Sequence, residues 1–323
     1  MTMEYSQQEW DATVARFAPA SGAFLQSFAW GEFQKSQGRE VKRILAIDGD
    51  KAMIAQAVKL SAPLGISYWL VPKGPLGNAS SEFMRKTLVA ELGSSVDYIR
   101  TESIDQLPGT RRAKEMHPQT TRLLDLSKGY ETTFNDFNPK TRYNTRLARK
   151  KGVETTFVGL ERFDDFVALM AQTAERDEFH IHENEYYRAM LEALGNEPSC
   201  LAKLALASKD GVPLAVALSI DAFGIRTYLH GASGNQMREL KAPQALQDFV
   251  IQDACEKGLS NYDFWGIAPP GATEKHPWWG ITRFKEGFGG YVYATAGTFD
   301  IPVNVGKYGL YRAARFVRSL IGK

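Results

Sequence analysis

Residues 200–231 read CLAKLALASKDGVPLAVALSIDAFGIRTYLHG. Three apolar runs, at about 200–208, 212–221 and 225–231, are separated by Asp210-Gly211 and Phe223-Gly224. Short apolar runs joined by two-residue turns with glycine second predict a three-stranded antiparallel meander, because glycine accepts the positive φ that tight hairpins require. Helical patterns at about 161–174 and 184–194 precede the meander. A helix at Ala242–Lys257 and a short strand around Tyr262–Trp265 follow it.

The first half of the chain has the same order. Helical patterns at about 6–17 and 28–37 lead into strands at about 41–47, 52–60 and 66–71, a helix at about 80–93, and strands at about 96–101 and 121–126. Its turn signals, Asp48-Gly49-Asp50 and Gly65, lie 17 residues apart, against 14 for Asp210 and Gly224. Two generic α+β domains could share this order by coincidence; the repeated spacing favours an internal duplication. The repeated unit resembles an acyltransferase domain of the acetyltransferase (GNAT) type. The expected fold class is therefore α/β, more closely α+β: two tandem domains of mixed sheet flanked by helices, divided near residue 150. Beyond the breaks at Pro302, Gly306 and Gly309, Tyr308–Ile321 reads as a helix. Leu310, Ala314, Val317 and Ile321 form an apolar stripe that must pack somewhere, and the first domain is a candidate.

At 323 residues, 44% hydrophobic and 24% charged, the chain has the composition of an ordinary globular protein of about two domains. Its 39 basic and 37 acidic residues nearly balance, so only local clusters of charge are informative. No apolar run approaches the ~18–20 residues of a membrane span. Met1–Phe17 contains Glu4, Glu9, Asp11 and Arg16, which does not suit a signal peptide. Cys200 and Cys255 lie in apolar periodic segments, as reduced thiols of a cytoplasmic protein would. His180 and His182 lack further ligands at metal spacing, so neither metal nor cofactor is expected.

Two segments suggest chemistry. Asp263-Phe-Trp-Gly-Ile-Ala-Pro-Pro-Gly271 is followed by Gly280-Ile-Thr-Arg-Phe-Lys-Glu-Gly-Phe-Gly-Gly-Tyr291. Glycines 287, 289 and 290 would hold Phe284 and Lys285 in a tight structure among Trp278, Trp279 and Phe288. Such a lysine could stabilise an oxyanion or a phosphate; the competing reading is a surface lysine snorkelling over an aromatic core. The second segment gathers Lys140, Arg142, Arg146, Arg149, Lys150 and Lys151 within twelve residues, with 142, 146 and 149 on one helical face. That face suits a phosphate backbone, although a solvated helix or contact with an anionic membrane surface would look the same.

These stretches belong to a wider set: FLQSFAWGEFQKSQG at 24–38, YWLVPKGPLG at 68–77, TTRLLDLS at 120–127, PKTRYNTRLARKKGV at 139–153, NYDFWGI at 261–267, WGITRFKEGFGG at 279–290 and YATAGTFDIP at 293–302. In this order, over almost the whole chain, they resemble the Fem family of aminoacyltransferases. The resemblance implies two GNAT-like domains with the C-terminal helix returning to the first, here 1–150 plus 300–323, and 151–299. It implies transfer of glycine, alanine or serine from aminoacyl-tRNA to the side-chain amine in the stem peptide of a peptidoglycan precursor. That acceptor is UDP-MurNAc-pentapeptide or lipid II. Lys285 would stabilise the oxyanion, with Phe284 shaping the site, and Arg142, Arg146, Arg149 and Lys150 would meet the tRNA.

For the precursor's diphosphate the resemblance points to Lys35, which follows Trp30 one residue later than is usual in the family. It also points to His182, four residues before Tyr186 where an arginine is usual, to the alternative cations Arg176 and Arg188, and to Tyr228 or His230 on the third strand. Between Gly152 and Pro198 two helices of ordinary length and no sustained heptads resemble the family members without a coiled-coil arm. A monomer is expected, and peripheral contact with the inner membrane face is an open expectation. The competing function is an acyl-CoA-dependent N-acyltransferase. Against it, Gly231–Pro243 has too few glycines in too long a loop to cradle a pyrophosphate.

Overall fold

The computed structural model describes residues 5–177 and 180–321. The first elements are α1 (Gln7–Phe17), α2 (Phe28–Ser36), β1 (Val41–Asp48), β2 (Lys51–Ala62), β3 (Ile66–Val71), β4 (Leu76–Gly77), α3 (Ser81–Leu92), β5 (Tyr98–Thr101) and β6 (Arg111–Arg112). Next come β7 (Thr120–Asp125), α4 (Tyr130–Asn135), α5 (Pro139–Lys150), β8 (Glu154–Val158), α6 (Phe163–Asp177) and α7 (Asn184–Leu194). The rest are β9 (Leu201–Lys209), β10 (Val212–Ala222), β11 (Ile225–Ser233), α8 (Ala242–Glu256), β12 (Asn261–Gly266), α9 (Trp279–Glu286), β13 (Tyr291–Ala294), β14 (Phe299–Pro302) and α10 (Val305–Ile321). They form two compact units. One comprises the chain up to Pro19, Leu25–Gln119 and the chain from Ala294; the other comprises Ala20–Phe24 and Thr120–Tyr293.

In the first unit the sheet order is β1-β2-β3-β5-β14-β6, with β4 beside β2. The meander β1-β2-β3 is antiparallel, β5 runs parallel to β3, and β14 closes antiparallel on β5. One face is covered by α3 over a core that includes Ile44, Met53, Trp69, Leu88, Ile99 and Ile301. On another cluster, α10 buries Tyr308 and Tyr311 against Tyr68 and Tyr98. The Tyr308 hydroxyl donates to Asp300 (2.9 Å), whose carboxylate also receives two bonds from buried Arg100 at 2.7 and 2.9 Å. Three members of the expected stripe do not pack: Leu310 and Val317 are 72% and 51% exposed, and Ala314 is exposed too, while the side chain of Ile321 lies outside the described residues. Tyrosines, whose rings bury while their hydroxyls find polar partners, dock the helix instead.

In the second unit the order is β13-β7-β12-β11-β10-β9-β8. Asp210-Gly211 and Phe223-Gly224 each place two successive residues at positive φ, the backbone twist that matches paired strands. From the meander β9-β10-β11 the chain crosses through α8 to β12, which runs parallel to β11, and β7 lies antiparallel on β12. Both sheets thus follow one path, as a duplication requires. The expected boundary at residue 150 is corrected to Gln119/Thr120. The cause is β7, which pairs with β12 from Asn261↔Asp125 to Gly266↔Thr121 and takes α4 and α5 with it onto α8. Between β8 and β9, among the described residues, the α-helices are α6 and α7, of 15 and 11 residues, after a 3-10 turn at Leu160–Arg162. Among the described residues no helix is long and apolar enough to cross a membrane.

Candidate functional site

Within the second unit, β11 and β12 pair only from Ile225↔Asn261 to Thr227↔Asp263, then part. Beyond that point β11 has a bulge at Leu229, the extra residue between the pairs Leu218↔His230 and Ser219↔Tyr228. β12 bends where Trp265 adopts a φ of +60°. Backbone carbonyls beyond the parting have no strand partner from this pair, so side chains can claim them.

Lys285 makes such a contact. Its Nζ donates to the Gly266 carbonyl at 2.6 Å, and the residue is only 6% exposed. Thr282, on the same face of α9, accepts from the Ala268 N–H at 2.8 Å, which ties the helix to the chain leaving β12. Asp263, fully buried, accepts from Trp265 N (2.8 Å), Thr121 Oγ1 (2.5 Å) and Ser21 Oγ (2.7 Å). These bonds hold the bend. Burial lowers the Lys285 pKa to about 7, while the negative charge of Asp263 opposes that fall. The Tyr228 ring centroid lies 5.9 Å from Nζ. Tyr228 hydrogen-bonds Gln247, and burial raises the pKa of its hydroxyl; Gln247 Oε1 in turn accepts from Tyr262 at 2.7 Å. Gly231 is required here, since a Cβ would come within 1.7 Å of the Tyr228 hydroxyl.

An ammonium of this kind is a donor in a largely dry wall, held by one carbonyl and favoured by the charge of a buried carboxylate. It can donate to an oxygen that gains negative charge, and near neutrality it can lose its proton. Gly290 fixes the segment after α9. It sits at φ +72°, where a Cβ would stand 2.1 Å from the Leu123 carbonyl oxygen. Phe284 is half-buried and packs edge-on against Phe288 (5.2 Å) beside the core of this unit, so its ring anchors α9.

Trp30 lies in the first unit, buried and edge-on to Phe33 at 5.2 Å. Lys35, on the same helix, is exposed and paired with Glu32 at 2.8 Å. In the second unit the His182 ring lies tilted against that of Tyr186 (4.5 Å), and its backbone N–H donates to the Tyr187 hydroxyl at 3.2 Å. His230 joins this cluster, 5.0 Å from Tyr187; burial, aided by nearby His182, lowers its pKa to about 3. Arg176 is engaged with Asp177, the Ser233 carbonyl and Asn235, and Arg188 lies 4.3 Å over Phe163.

The basic face of α5 is partly turned to the unit's own needs. Arg142 donates to the carbonyls of Asn135 (2.7 Å) and Phe137, Arg146 lies over Phe134 (5.3 Å), and Arg149 pairs with buried Asp248. Lys150 is exposed. Sequence reading missed Gln247, Thr121, Ser21 and the Gly266 carbonyl, all of which act through long-range contacts without a local pattern. Among the described residues no three His, Cys, Asp or Glu side chains are grouped to hold a metal.

The comparisons with known proteins agree in kind. The chain is 23% identical to a lipid II:glycine glycyltransferase of Staphylococcus aureus (strain COL), covering 95% of this chain and 94% of the relative. That alignment runs over 400 positions, more than the 323 residues here, so the relative has inserted segments that this chain lacks. The crystal structure of FemX superposes with a TM-score of 0.82 at 21% identity, covering 95% of this chain and 98% of FemX. A tandem GNAT protein from the clavulanic acid biosynthesis pathway matches at a TM-score of 0.50 and 12% identity, over 91% and 88% of the two chains, so the fold is that of two GNAT-like domains. The FemAB family model matches residues 106–208 and 192–315, more than half of the sequence, and the chain belongs to the FemAB family.

Proposed function

We propose that this chain is an aminoacyltransferase that moves glycine, alanine or serine from aminoacyl-tRNA to the stem-peptide side-chain amine of a peptidoglycan precursor, UDP-MurNAc-pentapeptide or lipid II. That the chain is a transferase forming peptide bonds follows from its family and from relatives named as glycyltransferases. Donor, acceptor and residue roles are the proposal. The observation behind it is the buried Lys285 ammonium on the Gly266 carbonyl at the parting of β11 and β12.

The chemistry asks little of the protein. The acceptor amine attacks the ester carbonyl of the charged tRNA, forming a C–N bond; the C–O bond to the ribose then breaks, and the amine's proton passes to the departing ribose oxygen. Between these events the carbonyl oxygen is an oxyanion, and protonated Lys285 donates to it. Phe284 contributes by anchoring α9. Trp30, Lys35, His182, Tyr186, Tyr228 and Arg176 are proposed to grip the precursor. Lys35 is the cation most easily recruited, because its exposed pair with Glu32 is worth only ~0–1 kcal/mol and a diphosphate can displace it. On α5, Arg146 and Lys150 are the side chains best placed to take tRNA phosphates, with Arg142 and Arg149 held closer to the protein. A chain with these substrates works in the cytoplasm.

The test offers the protein a panel of charged tRNAs with both acceptor forms and reads the products by mass spectrometry. Wild type should yield an acceptor heavier by one amino-acid residue. Lys285→Met should fold yet lose at least ~100-fold in transfer rate. Near-wild-type transfer would remove Lys285 from the mechanism. Tight binding of acetyl-CoA in calorimetry, with no transfer from any tRNA, would replace the reading with an acyl-CoA enzyme.

A further inference from the structure

On α10, at ~100° per residue, Val305, Ala313, Ala314, Leu310, Phe316 and Val317 fall in one half of the helix. Tyr308, Tyr311, Lys307, Arg312 and Arg315 fall in the other. The tyrosine half docks: Tyr308 and Tyr311 are 1% and 7% exposed, lie 5.3 and 5.9 Å from the Tyr98 ring, and are secured by the bond from Tyr308 to Asp300. The apolar half is therefore held outward. Val305, Leu310, Phe316 and Val317 are 64%, 72%, 65% and 51% exposed. It cannot turn inward without withdrawing both tyrosines. Four large apolar side chains on one helical face exceed the scattered exposure normal for a surface.

Charge indicates the occupant. The sequence of α10 holds Lys307, Arg312, Arg315 and Arg318 and no acidic residue. On the helical projection Lys307, an exposed side chain whose pair with Asp97 at 3.6 Å a headgroup phosphate can displace, borders one edge of the apolar half, and Arg312 borders the other. An apolar face flanked on both sides by long basic arms is the arrangement of a helix lying in the plane of an anionic lipid surface, where the arms reach headgroup phosphates. A nucleic acid would leave the apolar face unused. A second copy, packed about a two-fold axis, would set basic edges against basic edges. We propose that α10 is an interfacial helix by which the chain lies on an anionic bilayer, with Val305, Leu310, Phe316 and Val317 at the headgroup–acyl boundary and Lys307 and Arg312 on phosphates.

The test is flotation of the full chain with vesicles of phosphatidylglycerol and phosphatidylcholine, and with phosphatidylcholine alone. Wild type should float with the anionic vesicles and lose at least ~10-fold in bound fraction on the neutral ones. The double variant Leu310→Glu/Phe316→Glu should lose binding at least ~10-fold on anionic vesicles while its thermal melt stays unchanged, both positions being exposed. Phe316→Trp supplies a readout independent of charge: its fluorescence should shift to the blue on anionic vesicles. Equal flotation of wild type and double variant, equal flotation on both vesicle types, or no blue shift would overturn the proposal. A dimer in light scattering that the double variant dissolves would overturn it too, by making this face a contact between copies.

Discussion

Lys285 is held where a charge is least comfortable. Burial brings its pKa from the ordinary lysine range of ~10.4 to about 7, with Asp263 limiting the fall. The sign of the stability effect follows. Below pH 7 both folded and unfolded chains hold the proton, and the folded state bears the full cost of a desolvated ammonium. Between about 7 and ~10.4 only the unfolded chain holds it, so stability rises with pH across that window. Lys285→Met removes the cost, roughly 2–4 kcal/mol, and leaves the Gly266 carbonyl without its donor, which takes back ~1 kcal/mol. The variant should therefore melt a few degrees above wild type at pH 6, and the gap should shrink by pH 9.5. A gap that does not change with pH would mean that Lys285 does not titrate near neutrality. A gap that shrinks as expected makes the residue proposed for catalysis also one that weakens its own unit, as a charged group kept in a dry wall for function is expected to do.

At the scale of elements, the glycines that matter are told apart by what faces them. Gly290 and Gly258 have nearly the same φ, +72° and +70°. A Cβ at 258 meets nothing within 4 Å, whereas at 290 it meets the Leu123 carbonyl oxygen at 2.1 Å, and a backbone oxygen paired into a sheet cannot give way. Gly258→Ala should cost ~1 kcal/mol of backbone strain. Gly290→Ala should cost at least ~2 kcal/mol more and move α9 with it, lowering both the urea midpoint and the transfer rate. Equal midpoints for the two variants would show that β13 can slide off β7. The hairpin turns were legible because two-residue turns carry their requirement in the turn itself. By contrast β13 and β14, of four residues each, are too short to show a period, and β8 (ETTFV) is half polar. In α10 the apolar period is legible in the sequence, but which side of the helix is buried is not. Burial went to Tyr308 and Tyr311, whose hydroxyls can be satisfied by Asp300 and Arg315, and no periodicity rule ranks such a tyrosine above a leucine.

At the scale of the whole chain, the two sheets are closed by strands that sequence order misassigns. β7 follows the first meander in sequence and completes the second sheet; β14 follows the second meander and completes the first. The repeat was therefore readable, since its strands, turns and crossover helices are local. The boundary was not, since it depends on a pairing across more than a hundred residues. The same holds for the candidate site: the motif around Lys285 is visible in the sequence, but the Gly266 carbonyl and the parting of β11 from β12 exist only once the sheet is formed. If β14 is what closes the first unit, its one buried charge should govern that unit's stability. Asp300 receives two bonds from Arg100, whose side chain is 4% exposed, and one from Tyr308 on α10. Asp300→Ala leaves a buried guanidinium without its counter-charge and a buried hydroxyl without its acceptor, a loss of about 3–5 kcal/mol. Hydrogen exchange should show lost protection in β3, β5 and β14 before any change in β9 to β12. Replacing both partners, as Arg100→Met/Asp300→Leu, should recover at least half of the loss, because no unpaired charge then remains. No recovery would assign the stability to the three bonds themselves and not to the relief of a buried charge.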